Sequence, residues 1–298
     1  MNLNHYIFGK KIKKLKEFNS KPDGIFKNKD VAHEKQIASL EELIKLQDIL
    51  YADAKNSVLV ILQSLDAGGK DSVIKHVMSG VNPIGCSVHC FPVKSFKTKS
   101  ALELEHDYMY RFHQTIPTKG RIGLFNRSYY EEVLLTRIHP EIILGEKLPG
   151  VSEKSINSDE FWHQRYQEIN NFEKYCVNNG IHIIKLFLNI SKEEQRQRLL
   201  ERINTPEKNW KFGMDDLIER RYWDNYMKIY EEIFKATSTD YAPWYIIPAD
   251  KKWHMFASIS NIIVDKLTSL KLKYPEISVK QRQEISEAKK ILENDTEK

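Results

Sequence analysis

Val58-Leu59-Val60-Ile61-Leu62 leads into Ser64-Leu65-Asp66-Ala67-Gly68-Gly69-Lys70-Asp71-Ser72, and a helical pattern follows from Val73 to Met78. The apolar run predicts a buried β-strand. A strand that leads through glycines and a lysine into a helix is typical of a phosphate-binding loop. Glycines let backbone N–H groups turn towards an anion, the helix N-terminus adds partial positive charge, and Lys70 adds a full charge. Residues 58–78 therefore predict an anion site.

The loop departs from the common pattern G-x-x-x-x-G-K-[ST] at two positions. Ser64 stands where the pattern has its first glycine, and Asp71 stands where it has a hydroxyl. Ser72 is one residue too late to supply that hydroxyl to magnesium, and Asp66 is an additional acid within the loop. Taken alone, the segment fits an ordinary strand-to-helix turn about as well as a phosphate-binding loop.

Four further apolar runs predict strands, and helical patterns separate them. These runs cover residues 87–93, 122–125, 181–188 and 244–248. The alternation predicts an α/β fold with a mostly parallel, five-stranded sheet and helices on both faces. Ligands of such sheets bind beyond the carboxyl ends of the strands. The loop at 64–72, Asn126-Arg127 and the lysines between residues 94 and 99 would meet there, which favours the phosphate-binding interpretation.

The sequence divides into three parts. Residues 1–30 are rich in lysine and predict an irregular basic arm on the surface. Residues 31–272 form the core, which begins with a long amphipathic helix and includes a helical lid at about 195–226. Residues 273–298 form a charged tail that is helical in part.

Composition predicts an ordinary globular protein. Charged residues make up 29% of the chain, and the net charge of +5 is too small to indicate nucleic acid as a partner. No apolar run is long enough to span a membrane and no signal segment begins the sequence, so we expect a cytoplasmic protein without a membrane partner. Cys86, His89 and Cys90 lie in a predicted strand and are interpreted as structural rather than metal-binding.

Asp66 and Arg127 are candidates for phosphoryl transfer, which requires charge neutralisation and positioning more than covalent chemistry. Asp66 could bind magnesium or orient the attacking phosphate oxygen, although a turn-capping aspartate is the alternative. Arg127 stands where such folds usually carry an acid that holds magnesium, and an arginine there suits a phosphate better than a metal. A structural ion pair of Arg127 with Glu131 or Glu132 is the other explanation.

Basic residues recur between Gln195 and Asp224, in a predicted helix–loop–helix lid. A lid that closes over a polyanion would exclude water and complete the positive surroundings of the phosphates. A solvated charged hairpin is the alternative, but Trp210 and Trp223 favour a packed lid. The candidate polyanion-binding residues are Lys94, Arg198, Arg202, Lys208, Lys211, Arg220 and Arg221.

The chain resembles the family-2 polyphosphate kinases in several segments that occur in order. The resemblance rests on Leu65-Asp66-Ala67-Gly68-Gly69-Lys70-Asp71 and on Phe125-Asn126-Arg127-Ser128-Tyr129-Tyr130-Glu131. It extends to the lid segments 201–211 and 221–226, and to Ala242-Pro243-Trp244-Tyr245 with Pro248-Ala249-Asp250. Together these segments span residues 30–270, approximately, so the resemblance covers most of the chain.

The resemblance implies a three-layer P-loop kinase fold. It also implies reversible transfer of the terminal phosphate of inorganic polyphosphate to a nucleotide, with Mg2+ or Mn2+ as the metal. Asp66, Lys70 and Arg127 would form the catalytic core, with Asp66 as metal ligand. The residues implied in phosphate and nucleotide binding are Ala67, Gly68, Gly69, Asp71, Ser72, Asn126 and Glu131.

Substrate choice and assembly are implied by the same resemblance. Many members carry aspartate where Asn126 stands, and the form found here resembles the subgroup that phosphorylates both AMP and ADP. Glu131 would help to choose the nucleotide. Adenine nucleotides, and guanine nucleotides as a second choice, are the expected acceptors. A homo-oligomer, either a dimer or a tetramer, is the expected assembly.

Two other functions remain compatible with the sequence. One is an ATP-dependent nucleoside monophosphate kinase on the same fold, although the lysines at 94–99 and the basic lid favour a longer polyanion. The other is a nucleotide- or polyanion-binding protein without turnover. The departures at Ser64 and Asp71 are compatible with such a protein, whereas Asp66 together with Arg127 argues against it.

Overall fold

The computed structural model describes residues 3–10 and 12–295. Within these residues, five strands form one parallel sheet in the order β2-β3-β1-β4-β5. The strands are β1 (Ser57–Gln63), β2 (Cys86–Cys90), β3 (Ile122–Asn126), β4 (Ile181–Asn189) and β5 (Trp244–Pro248). The predicted α/β class and the parallel sheet are confirmed.

Helices connect the strands and cover the sheet. They are α1 (Lys29–Asp53), α2 (Lys70–Val77), α3 (Val93–Lys97), α4 (Ala101–Leu104), α5 (Tyr110–His113), α6 (Glu131–Ile138), α7 (Glu141–Gly145), α8 (Glu153–Ile156), α9 (Asp159–Asn178), α10 (Lys192–Asn204), α11 (Met214–Arg221), α12 (Trp223–Thr237), α13 (Lys252–Ser269) and α14 (Val279–Asn294). Helices α1, α2 and α13 pack together, and α6, α9 and α12 form a second packed group. Every residue of β1 is buried, so the central strand is covered on both faces.

The register of β1 and β3 determines where the predicted site forms. Leu62 is paired with Asn126, and the Arg127 amide donates a hydrogen bond to the Leu62 carbonyl at 3.0 Å. Both strands therefore end at the same level. The loop after β1 and the Asn126-Arg127 turn after β3 consequently leave the sheet side by side, at its carboxyl edge.

The N-terminal segment is not the surface arm that its lysines predict. Leu3, Tyr6, Phe8, Leu15 and Phe18 are buried in the main core. The Phe8 amide donates a hydrogen bond to the Trp244 carbonyl at 2.9 Å, so the segment also covers part of the edge strand β5. The prediction was wrong because the apolar residues between the lysines were not weighed. Lys11 and the first two residues lie outside the described residues.

Several other boundaries differ from the sequence prediction. Strand β2 ends at Cys90, because Pro92 caps helix α3, so Lys94 lies on a short helix rather than on a loop. The segment 140–158, which contains two prolines and two glycines, includes the short helices α7 and α8. The tail forms α14, and its last three residues lie outside the described part of the chain. Among the helices that the structure describes, none is both long and apolar enough to span a bilayer.

A buried ion pair supports the turn after β3 from behind. Lys185 of β4 is fully buried and donates hydrogen bonds to Glu173 Oε2 at 2.7 Å, to the Thr237 carbonyl at 2.7 Å and to the Tyr130 hydroxyl at 3.0 Å. Glu173 Oε1 in turn accepts bonds from the Tyr129 and Tyr130 hydroxyls at 2.9 and 2.7 Å. The two tyrosines that follow Asn126-Arg127-Ser128 are therefore held by one carboxylate.

We expect Lys185→Met to lower the free energy of unfolding by ~3–5 kcal/mol, because it leaves the Glu173 carboxylate buried without its cation. The measurement is the urea midpoint followed by circular dichroism. Glu173→Gln in the Lys185→Met background removes that charge and should recover at least about half of the loss. A loss below about 1 kcal/mol for the single variant would contradict the assignment.

Candidate active site

The loop after β1 is held by close backbone contacts. The Ser64 hydroxyl donates to the Leu188 carbonyl at 3.0 Å, and a Cβ on Gly68 would lie only 1.8 Å from Ser64 Oγ. Serine at 64 thus anchors the loop to β4 and requires glycine at 68. Ala67 has φ +58° and Gly69 has φ +109°, so consecutive peptides turn sharply before α2. This tight turn places the N-terminus of α2 at the carboxyl edge of the sheet.

Lys70 is buried in this loop. Its ammonium group donates to the carbonyls of Ser64 and Leu65 at 2.9 and 3.2 Å. Burial lowers the pKa of Lys70 to about 7, and the positive charge of Arg127 acts in the same direction. The carboxylates of Asp66, Glu131 and Asp71 oppose this shift only in part.

Arg127 joins the two loops at the centre of the site. Its guanidinium group donates to Asp66 Oδ1, and also to Glu131 Oε1 at 2.9 Å. Burial would raise the pKa of Asp66, but the charges of Arg127, Lys70 and Arg202 outweigh it and the pKa lies below its usual value. Arg127 has φ +67°, which is rare for a residue with a side chain and is found at functional sites.

Asp71 connects helix α2 with β3 and with the lid. Its Oδ1 accepts a hydrogen bond from Asn126 Nδ2 at 2.8 Å, and its Oδ2 lies 3.0 Å from Lys211 Nζ. Burial would raise the pKa of Asp71, but the bonds from Lys211 and Asn126 lower it. Ser72 is half-buried one residue further along α2.

Helix α10 packs over the loop. The Arg198 guanidinium group donates to the carbonyls of Gly68 at 3.0 Å and Ala249 at 2.6 Å. Gln195 Nε2 donates to the Asp66 carbonyl at 2.9 Å, while the Gln195 side-chain oxygen accepts a bond from Arg220 of α11. Arg202 forms an ion pair with Asp216 at 2.8 Å. Both lid helices are therefore connected to the loop or to each other through polar side chains.

A cavity lies between the loop and the lid. Asp66, Arg127 and Glu131 line it on the side of the sheet, and Glu219 and Arg220 line it on the side of the lid. The remaining lining is mainly apolar and comprises Ser64, Leu65, Val93, Leu134, Leu135, Gln195, Trp223, Tyr226 and Tyr230. Charged groups of the loop and of the lid therefore face each other across a small cavity whose other walls are mainly apolar.

The structure brings most of the predicted site residues together. Lys211 reaches Asp71, and Arg198, Arg202 and Arg220 lie on the lid as expected. The other predicted lid residues do not reach the site: Lys208 pairs with Glu201, and Arg221 is exposed. Lys94 is exposed on α3.

Two arguments, one for a packed lid and one for a long polyanion, need correction. Trp223 is buried, but Trp210 is 78% exposed and does not pack the lid. Lys97 and Lys99 were expected to face a polyanion, but both already have acidic partners. Lys97 pairs with Glu219 at 2.6 Å, and Lys99 pairs with Glu132 and Glu146. The sequence could not show these partners, since they lie between about 30 and 120 residues away along the chain.

Sequence reasoning did not place Gln195, Asp216 or Glu219 in the site, and considered Glu219 only as an acid that would stabilise a solvated hairpin. Gln195 lies three and seven residues before Arg198 and Arg202, so helical spacing places all three on one face. That spacing was the available signal for Gln195. Glu219 accepts bonds from Lys97, from His139 at 2.9 Å and from Tyr226, and this convergence was not visible in the sequence.

The donor groups near Lys70 fit a metal only if phosphates complete its coordination. In the described part of the chain, no group of three or more His, Cys, Asp or Glu side chains could hold a metal ion. Both carboxylate oxygens of Asp71 already have partners, since Asn126 donates a hydrogen bond to one and Lys211 forms an ion pair with the other. Asp66 borders the cavity and could supply one carboxylate. Mg2+ is commonly bound by one or two carboxylates together with substrate phosphates and water, which this arrangement allows.

Comparisons with known proteins agree with this geometry. The family described as Polyphosphate kinase 2 (PPK2) matches residues 27–275. An ADP-polyphosphate phosphotransferase from Rhodopseudomonas palustris is 46% identical over 93% of this chain and 93% of its own length. An AMP/ADP-polyphosphate phosphotransferase from Meiothermus ruber is 41% identical over 88% of this chain and 96% of its own length.

A solved structure has the same fold. The polyphosphate kinase 2 from Arthrobacter aurescens TC1 superposes with a TM-score of 0.82 at 31% identity and covers 95% of both chains. The three-layer P-loop kinase fold that the resemblance implies is thereby confirmed. Sequence and structure agree along nearly the whole length, and the chain therefore belongs to the polyphosphate kinase 2 family.

Proposed function

We propose that this protein transfers the terminal phosphate of inorganic polyphosphate to AMP or ADP, reversibly. The observation that carries the proposal is the Asp66–Arg127–Glu131 contact in the wall of a cavity between a phosphate-binding loop and a basic lid. The names of the relatives from Rhodopseudomonas palustris and Meiothermus ruber, which specify ADP and AMP/ADP as partners of polyphosphate, support the same reaction.

In the proposed step, a terminal phosphate oxygen of the nucleotide attacks the last phosphorus atom of polyphosphate. The bond to the next bridging oxygen breaks, and the chain leaves shortened by one phosphate with the bonding electron pair. Lys70 and the N–H groups at the start of α2 would bind phosphate oxygens. Arg127 would exchange a carboxylate partner for the transferring group and neutralise its charge.

We propose that Asp66 holds Mg2+, or Mn2+ in its place. When bound, the ion would neutralise phosphate oxygens and orient them. Asp71 would position Lys211 and Asn126 rather than act as a ligand, because its two oxygens already accept bonds from these groups. Asn126 and Glu131 lie beside Arg127, where they would contact the acceptor nucleotide.

The same proposal includes the base of the acceptor nucleotide, the assembly and the cellular location. We infer acceptance of adenine nucleotides, with guanine nucleotides as a second choice, and a homo-oligomer, either a dimer or a tetramer. The resemblance to the family supports both. A cytoplasmic location is supported by three cysteines that are free thiols in the structure.

The direct test mixes purified protein, Mg2+ and long-chain polyphosphate with AMP or with ADP, and measures ADP and ATP formed. We expect product from both acceptors. Asp66→Asn and Lys70→Ala should each lower turnover at least ~100-fold, because each removes a charge that contacts the transferring phosphate or its metal. Product formed only from ATP and AMP would instead favour an ATP-dependent monophosphate kinase. A lack of turnover with every donor would favour a binding protein.

The lowered pKa of Lys70 predicts that polyphosphate binding takes up protons. At a pH of about 8, a lysine with a pKa near 7 is mostly neutral, and a bound polyanion raises its pKa and recharges it. Calorimetric titration in two buffers of different ionisation enthalpy should show uptake approaching one proton at about pH 8 and little at about pH 6. Lys70→Met should abolish most of this uptake. Equal uptake in the variant would contradict the assignment to Lys70.

Lys211 and Lys208 form a matched pair on one turn of the lid. Lys211 reaches Asp71 beside the loop, whereas Lys208 pairs with Glu201 on the exposed surface. We expect Lys211→Ala to raise the KM for polyphosphate ~10-fold or more, as for the loss of one charged hydrogen bond, and Lys208→Ala to change it less than about twofold. Equal effects of the two substitutions would mean that the lid acts only through its net charge.

A further inference from the structure

Helix α14 has no partner within the chain that the structure describes. It is 16 residues long, and every one of its residues is exposed. Its start is well defined, because the Ser278 hydroxyl accepts a bond from the Gln281 amide at 3.2 Å and the Gln281 side chain accepts one from the Ser278 amide at 2.9 Å. Isolated helices of this length are marginally stable in water. A capped but unpacked helix of this kind requires a surface to pack on.

One face of α14 carries a line of apolar residues, and two further exposed apolar residues, Val279 and Ile291, lie outside it. Ile285 and Leu292 are seven residues apart and 56% and 71% exposed, and Ala288 lies between them on the same face. Three residues before each of the two large side chains is a cation, Arg282 or Lys289. The face therefore consists of an apolar line with a basic row along one flank, which is the arrangement of a helix in a coiled coil.

Helix α1 carries a complementary face, called here the α1 stripe. It consists of Ile37, Ile44 and Tyr51, which are again seven residues apart and are 47%, 39% and 42% exposed. Helix α1 packs against α13, and its buried residues lie on a different face from the stripe. Three large apolar side chains exposed at heptad spacing are unusual for the surface of a lone domain.

The charges beside the α1 stripe are of the opposite sign. Glu34, Glu41 and Asp48 each precede a stripe residue by three positions, and all are exposed. This row is therefore equivalent in position to the row of Arg282 and Lys289 on α14. When two helices pack antiparallel, such equivalent rows face each other across the seam. An antiparallel pair of α1 and α14 would thus join the apolar lines and place acids opposite bases.

The segment between α13 and α14, residues 270–278, indicates which copy of α1 can bind α14. The Tyr274 hydroxyl donates to Asp48 Oδ2 at 2.6 Å, so the chain leaves its own α1 at the edge of the stripe. Although it starts there, α14 stays exposed along its whole length and leaves the stripe of its own chain uncovered. A second copy can fill both unpartnered faces at once, since each chain offers one helix and one stripe.

We propose that two copies of this protein exchange their C-terminal helices, with α14 of each copy packed antiparallel on the α1 stripe of the other. The interface is isologous, because the same two surfaces are used twice. It lies apart from the residues that line the candidate active site and does not rest on the proposed catalytic function. The inference specifies which surface assembles the expected homo-oligomer.

The first experiment compares masses in solution by light scattering coupled to size exclusion. Ile285→Asp with Leu292→Asp should halve the mass of the assembly, or raise the dissociation constant at least ~100-fold, because two large side chains per helix lose their burial. Gln283→Asp with Ser286→Asp adds the same two charges away from the apolar line and should leave the mass unchanged. A monomeric wild type, or equal masses for wild type and the first variant, would overturn the proposal.

The second experiment separates exchange between copies from packing within one chain. One variant carries Glu34→Lys and Glu41→Lys, and the other carries Arg282→Glu and Lys289→Glu. Each alone places like charges across both seams and should dissociate, whereas an equimolar mixture should form a mixed dimer with opposite charges at both seams. Native mass spectrometry counts the species. No preference for the mixed dimer would overturn the exchange and would favour packing within the chain or a different partner.

Discussion

The rest of the site depends on the contacts that the guanidinium group of Arg127 makes. It joins Asp66 of the loop after β1 to Glu131 at the start of α6, and it does so from a left-handed backbone conformation. A side chain at φ +67° persists only where its surroundings hold it. Here the Arg127 amide is bound to Leu62 of the neighbouring strand, and the two following tyrosines are bound to Glu173. The turn that carries Arg127 is thus positioned by the sheet on one side and by a buried ion pair on the other.

The charged groups of this site form hydrogen bonds and ion pairs that a bound substrate would replace. Lys70 donates to two carbonyl oxygens rather than to a carboxylate, and its lowered pKa reflects burial next to Arg127. Asp66 keeps its negative charge because three cations surround it. An anionic substrate would therefore meet a lysine whose present partners are neutral carbonyl groups and an arginine that is shared by two carboxylates. Such a preorganised site stabilises charge without much rearrangement.

The lid is held against the rest of the site by a few specific contacts, which matter more than its total basic charge. Arg198 and Gln195 donate hydrogen bonds to backbone carbonyls of the loop, so α10 is attached directly to the loop. Glu219 ties α11 to α3 and α6 through Lys97 and His139. Lys211, between the two lid helices, pairs with Asp71 at the start of α2. Because most other lid cations already have acidic partners, the number of lysines and arginines overstates the charge that a polyanion would meet.

The sequence by itself determined the alternation of strands and helices, the loop at 64–72 and the proximity of that loop to Asn126-Arg127, because these follow from local periodicity and from the rule that ligands bind at the carboxyl ends of parallel strands. It also identified Asp66, Lys70 and Arg127 as candidates. Only the tertiary structure decided which charges are neutralised, as with Lys97 and Lys99, and that the lysine-rich N-terminal segment is part of the core. It also decided that Gln195 and Glu219 border the site. The physical reason is that ion pairs and burial depend on distances between segments far apart in the chain, and no local pattern records those distances.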